Sequence, residues 1–317
     1  MDSLPRPPRD ALAALRRGPR LASRRLGSGA RLAALGLLVA ACSATGAAGA
    51  SPTSGAIAHP SGPDELVLRI ETVGGSVAPA ALLDRLPDAS LYGDGRLLTP
   101  GAQIAIYPPP ALPSVQVIRL DEAAVQRILA RAAAAGLLGP DRRLDRPGIA
   151  DPPTTVVTVV TVVAGGSRHV TSAYALGVGG TGDESAERVA LAAFRDALLD
   201  PRALADPAPP TEQLPIERLQ VVASPAAVQG STPEAPSAPL AGRQPWPLPA
   251  SLASFGVPLA AGPDARCGVL SGADLALALP ALRTSSQATT WLSGGRDWRL
   301  LVRPLLPDEA GCTLPAG

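Results

Sequence analysis

The sequence predicts an α+β fold of two small domains, in which antiparallel hairpins are covered by helices. Three patterns support this class. Short segments that alternate apolar and polar residues are joined by Asp-Gly or Gly-Gly turns, which is typical of antiparallel hairpins. Two longer segments repeat apolar residues at helical spacing. A proline-rich linker over 206–250 follows the first set of elements, so we expect a first domain over 64–205 and a second over 251–317.

The first domain begins with an alternating segment, 66–73, that predicts a half-buried strand ended by two glycines. Segment 91–98 places an Asp-Gly pair between two apolar arms, so Asp94 is expected to form a hairpin turn and not to act as a catalytic acid. Segment 115–118 predicts another strand. It runs into a predicted helix over 121–136, with an aspartate cap, a glycine end and an apolar face toward the core.

Segment 154–163 consists of ten consecutive Thr and Val residues. Because β-branched side chains favour extended backbone, this segment predicts a strand. Its valines fall on both alternating faces, which predicts a central strand covered on both sides. The helices over 121–136 and 184–199 are the expected covers.

A Gly-Gly turn leads from this strand into a return strand that contains His169. Val170, Tyr174 and Leu176 are an even number of residues apart and are expected on the inward side, which leaves His169 pointing outward as an exposed strand residue. A histidine-dependent hydrolase would have to use His169 as its base, so this residue defines one functional alternative.

The second domain holds two cysteines, Cys267 and Cys312, which are expected to form a disulfide outside the cytoplasm. The linker before it contains a possible first strand over 216–223. A helix that begins after Ser271 is expected to kink or end at Pro280.

A Gly-Gly loop in this domain fixes the register of a hairpin and pairs Trp291 directly with Trp298. Trp298, Leu300 and Val302 then share one face. Trp246 stands between two prolines in the linker. All three tryptophans are expected to pack in the core, and the alternative is an exposed aromatic surface that binds a sugar or a peptide.

Residues 1–41 have the three parts of a bacterial lipoprotein signal peptide. A basic segment with eight arginines precedes the apolar run 32–41, which is too short to span a bilayer because a spanning helix needs about 20 residues. The run ends in Leu-Val-Ala-Ala-Cys, so we predict cleavage before Cys42 and its lipidation, with palmitate among the acyl chains. The alternative is an ordinary secretory signal cleaved after Ala50. Residues 42–63 would form a flexible tether with a solvated His59.

Composition and motifs argue against several function classes. All 28 basic residues are arginine, and residues 42–317 carry a net charge of about −5, which disfavours binding to nucleic acid or anionic lipid. The sequence has no metalloprotease, esterase, nucleotide-binding or Cys-x-x-Cys motif. Asp308 and Glu309 are adjacent on an extended segment, so they point to opposite faces and make a poor catalytic pair. We therefore predict no enzyme activity, no cofactor and no metal site.

Several segments resemble a family of uncharacterised lipoproteins from high-GC bacteria. These are 92–96 (Tyr-Gly-Asp-Gly-Arg), 148–151 with Thr154 and Thr155, 174–176, and the C-terminal run 303–309 closed by Cys312. The hairpin, helix and valine strand also resemble a small domain of unknown function in other secreted bacterial proteins. The likeness covers most of residues 65–317. It implies a location and an architecture and supplies no activity.

The sequence as a whole predicts a lipoprotein on the extracytoplasmic face of the cell membrane. We expect a non-catalytic binding or protein-interaction module, held to the membrane by the lipid on Cys42 and bound to a cell-envelope protein. One alternative is a solute- or glycan-binding lipoprotein that uses Trp246, Trp291 and Trp298. The other is a hydrolase that uses His169.

Overall fold

The α+β class is confirmed by the computed structural model, in which the described residues form two mixed sheets and five helices. The described residues are 55–77, 79–146, 156–178, 184–204, 207–226, 242–259 and 264–313. The predictions for Cys42, for the signal peptide over 1–41 and for the motif 148–155 lie outside these ranges.

The strands are β1 Leu66–Gly74, β2 Ala89–Tyr92, β3 Arg96–Pro100, β4 Val115–Arg119, β5 Arg142–Leu144, β6 Val156–Ala164, β7 Ser167–Tyr174, β8 Thr211–Gln213, β9 Arg218–Pro225, β10 Arg243–Pro245, β11 Val257–Pro258, β12 Arg266–Ser271, β13 Thr290–Ser293 and β14 Arg296–Pro304. The helices are α1 Pro79–Leu83, α2 Glu122–Ala134, α3 Ala186–Leu199, α4 Pro201–Leu204 and α5 Gly272–Arg283.

The first sheet has eight strands in the order β5-β7-β6-β1-β2-β3-β4-β8, and the pairs are antiparallel except β5 with β7. Helix α2 starts where the sequence predicts, because the Asp121 side chain accepts a hydrogen bond from the Ala124 amide at 2.7 Å. Asp94 forms the expected turn and accepts a hydrogen bond from the Arg96 amide.

Both long helices cover the same face of the first sheet. Ile128 of α2 and Phe194 of α3 join one buried cluster with Val160 and Val162 of β6. The prediction that the two helices cover opposite faces of β6 is therefore wrong. The outward valines of this strand, such as Val159, are half-buried.

The return strand β7 faces the other way from the prediction. His169 pairs with Val162 and Ala173 pairs with Thr158, so His169 lies on the helix-covered face, while Val170 and Tyr174 lie on the opposite face. Leu176 is nevertheless buried in the helix-side core, because Ala175 adopts a φ of 51° and breaks the alternation.

The chain enters the first sheet at the end where β1 begins. Ile57 packs against the core, and its backbone exchanges two hydrogen bonds with the Gln126 side chain of α2. The His59 side chain is only 8% exposed and lies 3.1 Å from Glu122. The expectation of a solvated His59 is therefore wrong, because the residues before β1 are docked on α2.

The second sheet has six strands in the order β10-β13-β14-β9-β12-β11. Its hairpin confirms the predicted register, since Trp291 pairs with Trp298 across the Gly-Gly loop. The possible strand over 216–223 is observed as β9, which is central to this sheet. The disulfide between Cys267 and Cys312 is formed, with 5.6 Å between the Cα atoms.

Sequence analysis expected helix α5 to kink or end at Pro280. The helix continues through Pro280 and ends at Arg283, so the ending is wrong, while the kink stays a prediction. Proline at this position leaves the Ala276 carbonyl without its helical donor. Ala276 is exposed, so water can solvate that carbonyl. The Ser271 side chain makes no capping hydrogen bond, although Ser271 stands at the cap position.

Candidate functional site

The three tryptophans that the sequence singles out lie inside the second sheet's core. Trp291 and Trp298 are almost completely buried, and Trp246 is buried beside them with its ring 5.9 Å from that of Trp291 in an edge-to-face arrangement. The Trp298 indole donates a hydrogen bond to the Ser293 carbonyl. A stacking surface needs an open ring face, and none of these rings offers one.

His169, the other candidate, contacts backbone. Its Nδ1 lies 2.8 Å from the Gly139 carbonyl oxygen, and its ring is half-buried. Among the residues that the structure describes, no hydroxyl or carboxylate hydrogen-bonds to this ring. The hydrolase alternative therefore remains a prediction, and the described residues supply no nucleophile or acid that is hydrogen-bonded to His169.

Asp308 and Glu309 each form an ion pair with a different sheet. The Asp308 carboxylate accepts hydrogen bonds of 2.7 Å from both Arg69 of β1 and the Tyr92 hydroxyl. Glu309 forms a two-pronged ion pair with Arg303 of β14. The C-terminal segment that carries them is therefore bound to both sheets.

Burial shapes the protonation of this cluster. It raises the pKa of the Tyr92 phenol more than the neighbouring Arg69 lowers it, so the hydroxyl remains a hydrogen-bond donor. Burial also raises the pKa of Glu71 above its usual range, against the opposing effect of Arg69. The ion pair of Asp308 with Arg69 and its hydrogen bond from Tyr92 suit a structural role for the cluster.

Asp84 follows α1 and has a strongly perturbed pKa. Burial raises the pKa of its carboxyl to about 6, and nearby Arg303 lowers it only in part. Its Oδ1 is buried and has no hydrogen-bond partner among the described residues. The preceding carbonyl, that of Leu83, accepts hydrogen bonds from both Gln220 and Arg303, so this turn is pinned against the second sheet.

A surface of a different kind lies in the loop between β3 and β4. We call residues 102–107 the tip loop. It exposes three large apolar side chains, with Ile104 62%, Ile106 54% and Tyr107 84% accessible to solvent. The sequence from Leu97 to Ile118 contains no charged residue. Such clustered exposure of apolar groups is typical of interaction sites.

The tip loop is held firmly on both sides. The Gly101 amide donates to the Ser114 carbonyl at 2.8 Å and closes the loop at its base. On its other side, the Ala111 amide donates to Ser285 and the Gln287 amide donates to the Pro109 carbonyl, which ties the loop to the segment after α5. The exposed residues therefore lie between two backbone segments that are hydrogen-bonded to the rest of the protein.

A groove of about 440 Å³ runs beside the tip loop. Its walls come from the loop and from the segment after β8, and they include Ile104, Leu112, Leu214 and Ile216. Arg283, the last residue of α5, is exposed at this groove and is its one charged lining residue. Among the described residues no carboxylate lies within ion-pair distance of it.

Sequence reasoning missed the tip loop and Arg283. A run of 22 residues without charge was available as a signal, but exposure of apolar residues cannot be read from composition.

In the described ranges no cluster of His, Cys, Asp and Glu could hold a metal ion. The described helices include none that is long and apolar enough to cross a bilayer.

Comparison with known proteins adds no relative on which a function could be based. No protein-family model, no curated protein and no solved structure shows significant similarity to this chain.

Proposed function

We propose that this protein is a membrane-anchored, extracytoplasmic lipoprotein that acts as a non-catalytic protein-interaction module. The single observation that carries the interaction role is the tip loop, because exposing Ile104, Ile106 and Tyr107 to water is costly unless another surface covers them. The anchor is proposed from the signal-peptide pattern that ends at Cys42. The resemblance to lipoproteins of high-GC bacteria supports the same location.

Topology favours a protein partner over the membrane at this loop. The chain enters at the end of the first sheet where β1 begins, since Ile57 contacts α2 and Ala58 accepts from Gly165 of the β6–β7 turn. The tip loop leaves β3 at Pro100 and returns at Val115, which lie toward the other end of that sheet. An anchor on the residues before Ile57 therefore attaches at the end of the sheet opposite the tip loop.

Two experiments test the two parts of this proposal. For the anchor, cells expressing the full chain are labelled with an alkyne analogue of palmitate, and Cys42→Ser is the control. Label that is present in the wild type and lost in the variant supports lipidation, and equal label in both contradicts it.

For the interaction, a photo-crosslinking amino acid replaces Ile106 in cells. The matched control places the same amino acid at Val189, which is 53% exposed on α3. One protein that crosslinks at position 106 and not at 189 supports the module. Equal crosslinking at both positions, or none at 106, contradicts it.

A further inference from the structure

The groove beside the tip loop combines an apolar lining with one unpaired cation. Ile104, Leu112 and Ile216 supply apolar walls, and Leu214 forms part of the buried core beneath. The volume of about 440 Å³ lies within the range of roughly 300–1,000 Å³ that ligand sites occupy. The chemistry of this lining suits a short apolar chain.

Polar groups around the groove are neutral apart from Arg283. Gln103, Ser114 and Gln213 line it, and the weak contact of 3.4 Å between Ser114 and Gln213 leaves these groups capacity for other hydrogen bonds. Such amides can bind the backbone of an extended peptide.

The simplest structural role of Arg283 is that of a cation in the last turn of a helix, where it interacts favourably with the helix dipole. That explanation accounts for an arginine at the position, but it does not account for the lack of a carboxylate partner beside an otherwise uncharged groove. Arg69 and Arg303 are each paired with an acidic residue, whereas other described arginines, such as the exposed Arg202, also have no ion-pair partner. What distinguishes Arg283 is its place at a groove that no other charged residue of the described ranges lines. A guanidinium fork without a partner matches a carboxylate of a ligand.

We propose that the groove binds a short apolar peptide segment of a partner protein and that Arg283 binds a carboxylate of that segment. The segment lies between the tip loop and residues 213–216, and the carboxylate belongs either to its C-terminus or to an acidic side chain. The inference rests on the proposed function, because it gives the chemistry of the partner at the same surface.

Pre-organisation strengthens this assignment. The loop wall is hydrogen-bonded to residues 285 and 287, which directly follow the helix that carries Arg283. The backbone beside the apolar wall is therefore joined to the segment that follows Arg283 before any ligand binds, which reduces the entropy cost of binding.

The test uses the purified full chain and a defined library of fluorescent pentapeptides made from Ala, Val, Ile, Leu, Phe and Pro. Each peptide is made with a free C-terminal carboxylate and as the amide. A third set is amidated and has one internal Glu, with Gln as its match. Binding is measured by fluorescence anisotropy at two salt concentrations.

We expect a subset of peptides whose carboxylate form binds about tenfold more tightly than its neutral match, the gain of one charged hydrogen bond. The comparison of the free-terminus set with the internal Glu set identifies the source of the carboxylate. Arg283→Gln should remove this preference and leave the neutral forms unchanged. Arg143→Gln, an exposed arginine on β5, is the control for charge and should keep the preference.

Ile104→Asp should weaken all forms at least tenfold, while Val189→Asp should not. Equal binding of carboxylate and neutral forms, a preference that survives Arg283→Gln, or a library in which nothing binds would each overturn the proposal. Flotation of the protein with phosphatidylcholine vesicles that is lost in Ile104→Asp would also overturn it, in favour of a membrane. If crosslinking at position 106 still gives one protein, the proposed function stands while this inference fails.

Discussion

Removal of the disulfide between Cys267 and Cys312 is expected to destabilise the protein by about 4 kcal/mol. The bond joins residues 45 apart and so restricts the unfolded chain, and the loop-entropy model gives this value for a loop of that size. The Cys267→Ala, Cys312→Ala double variant tests it with little added polarity in the core, where Cys267 is fully buried.

The assay is urea unfolding of the full chain, followed by tryptophan fluorescence, because Trp246, Trp291 and Trp298 all lie in the same core. With a slope of about 2–3 kcal/mol/M, a loss of about 4 kcal/mol moves the midpoint down by about 1.3–2 M. Wild-type protein in reductant should match the double variant, and reductant should not change the variant further. A midpoint change under about 0.5 M would refute the reasoning.

Three further predictions concern stability. Asp308→Asn should lower the free energy of unfolding by about 2 kcal/mol in chemical denaturation, because it weakens charged hydrogen bonds with Arg69 and Tyr92. Asp145→Asn, at an exposed ion pair, is the control and should lower it by less than about 0.5 kcal/mol. Trp298→Ala should cost about 3–5 kcal/mol and remove near-ultraviolet circular dichroism from the second sheet; a loss under 1 kcal/mol would contradict its core position. In the folded protein the pKa of Asp84 is about 6, against an ordinary 3.8, so the folded state binds this proton more tightly than the unfolded state. The free energy of unfolding should therefore fall as pH rises from about 4 to 6, by about 3 kcal/mol relative to Asp84→Asn. Parallel pH profiles for the wild type and Asp84→Asn would disprove that assignment.

The parts of the fold that were predictable are those where local chemistry decides the geometry. The Gly-Gly loop allows one tight connection, so the pairing of Trp291 with Trp298 followed from counting residues. The cap at Asp121 and the turn at Asp94 were also fixed by short-range hydrogen bonds.

The errors arose where long-range packing decides. In β7 the apolar pattern favoured Val170 and Tyr174 as core residues, but pairing with β6 put small or polar side chains on the helix side. Valines on both faces of β6 could not show which face the helices cover. The groove was beyond prediction because its walls come from segments about 100 residues apart, and Arg283 comes from the second sheet's helix.

The ion pair between the C-terminal segment and β1 affects the order in which the protein can fold during synthesis. Asp308 bonds to Arg69 across 239 positions of sequence, and β1 itself lies between β2 and the much later β6. The native contacts of β1 therefore cannot be completed until the end of the chain has been synthesised. Until β6 has been synthesised, the edge of β1 that β6 covers stays unpaired, so the incomplete chain exposes a strand edge that can aggregate.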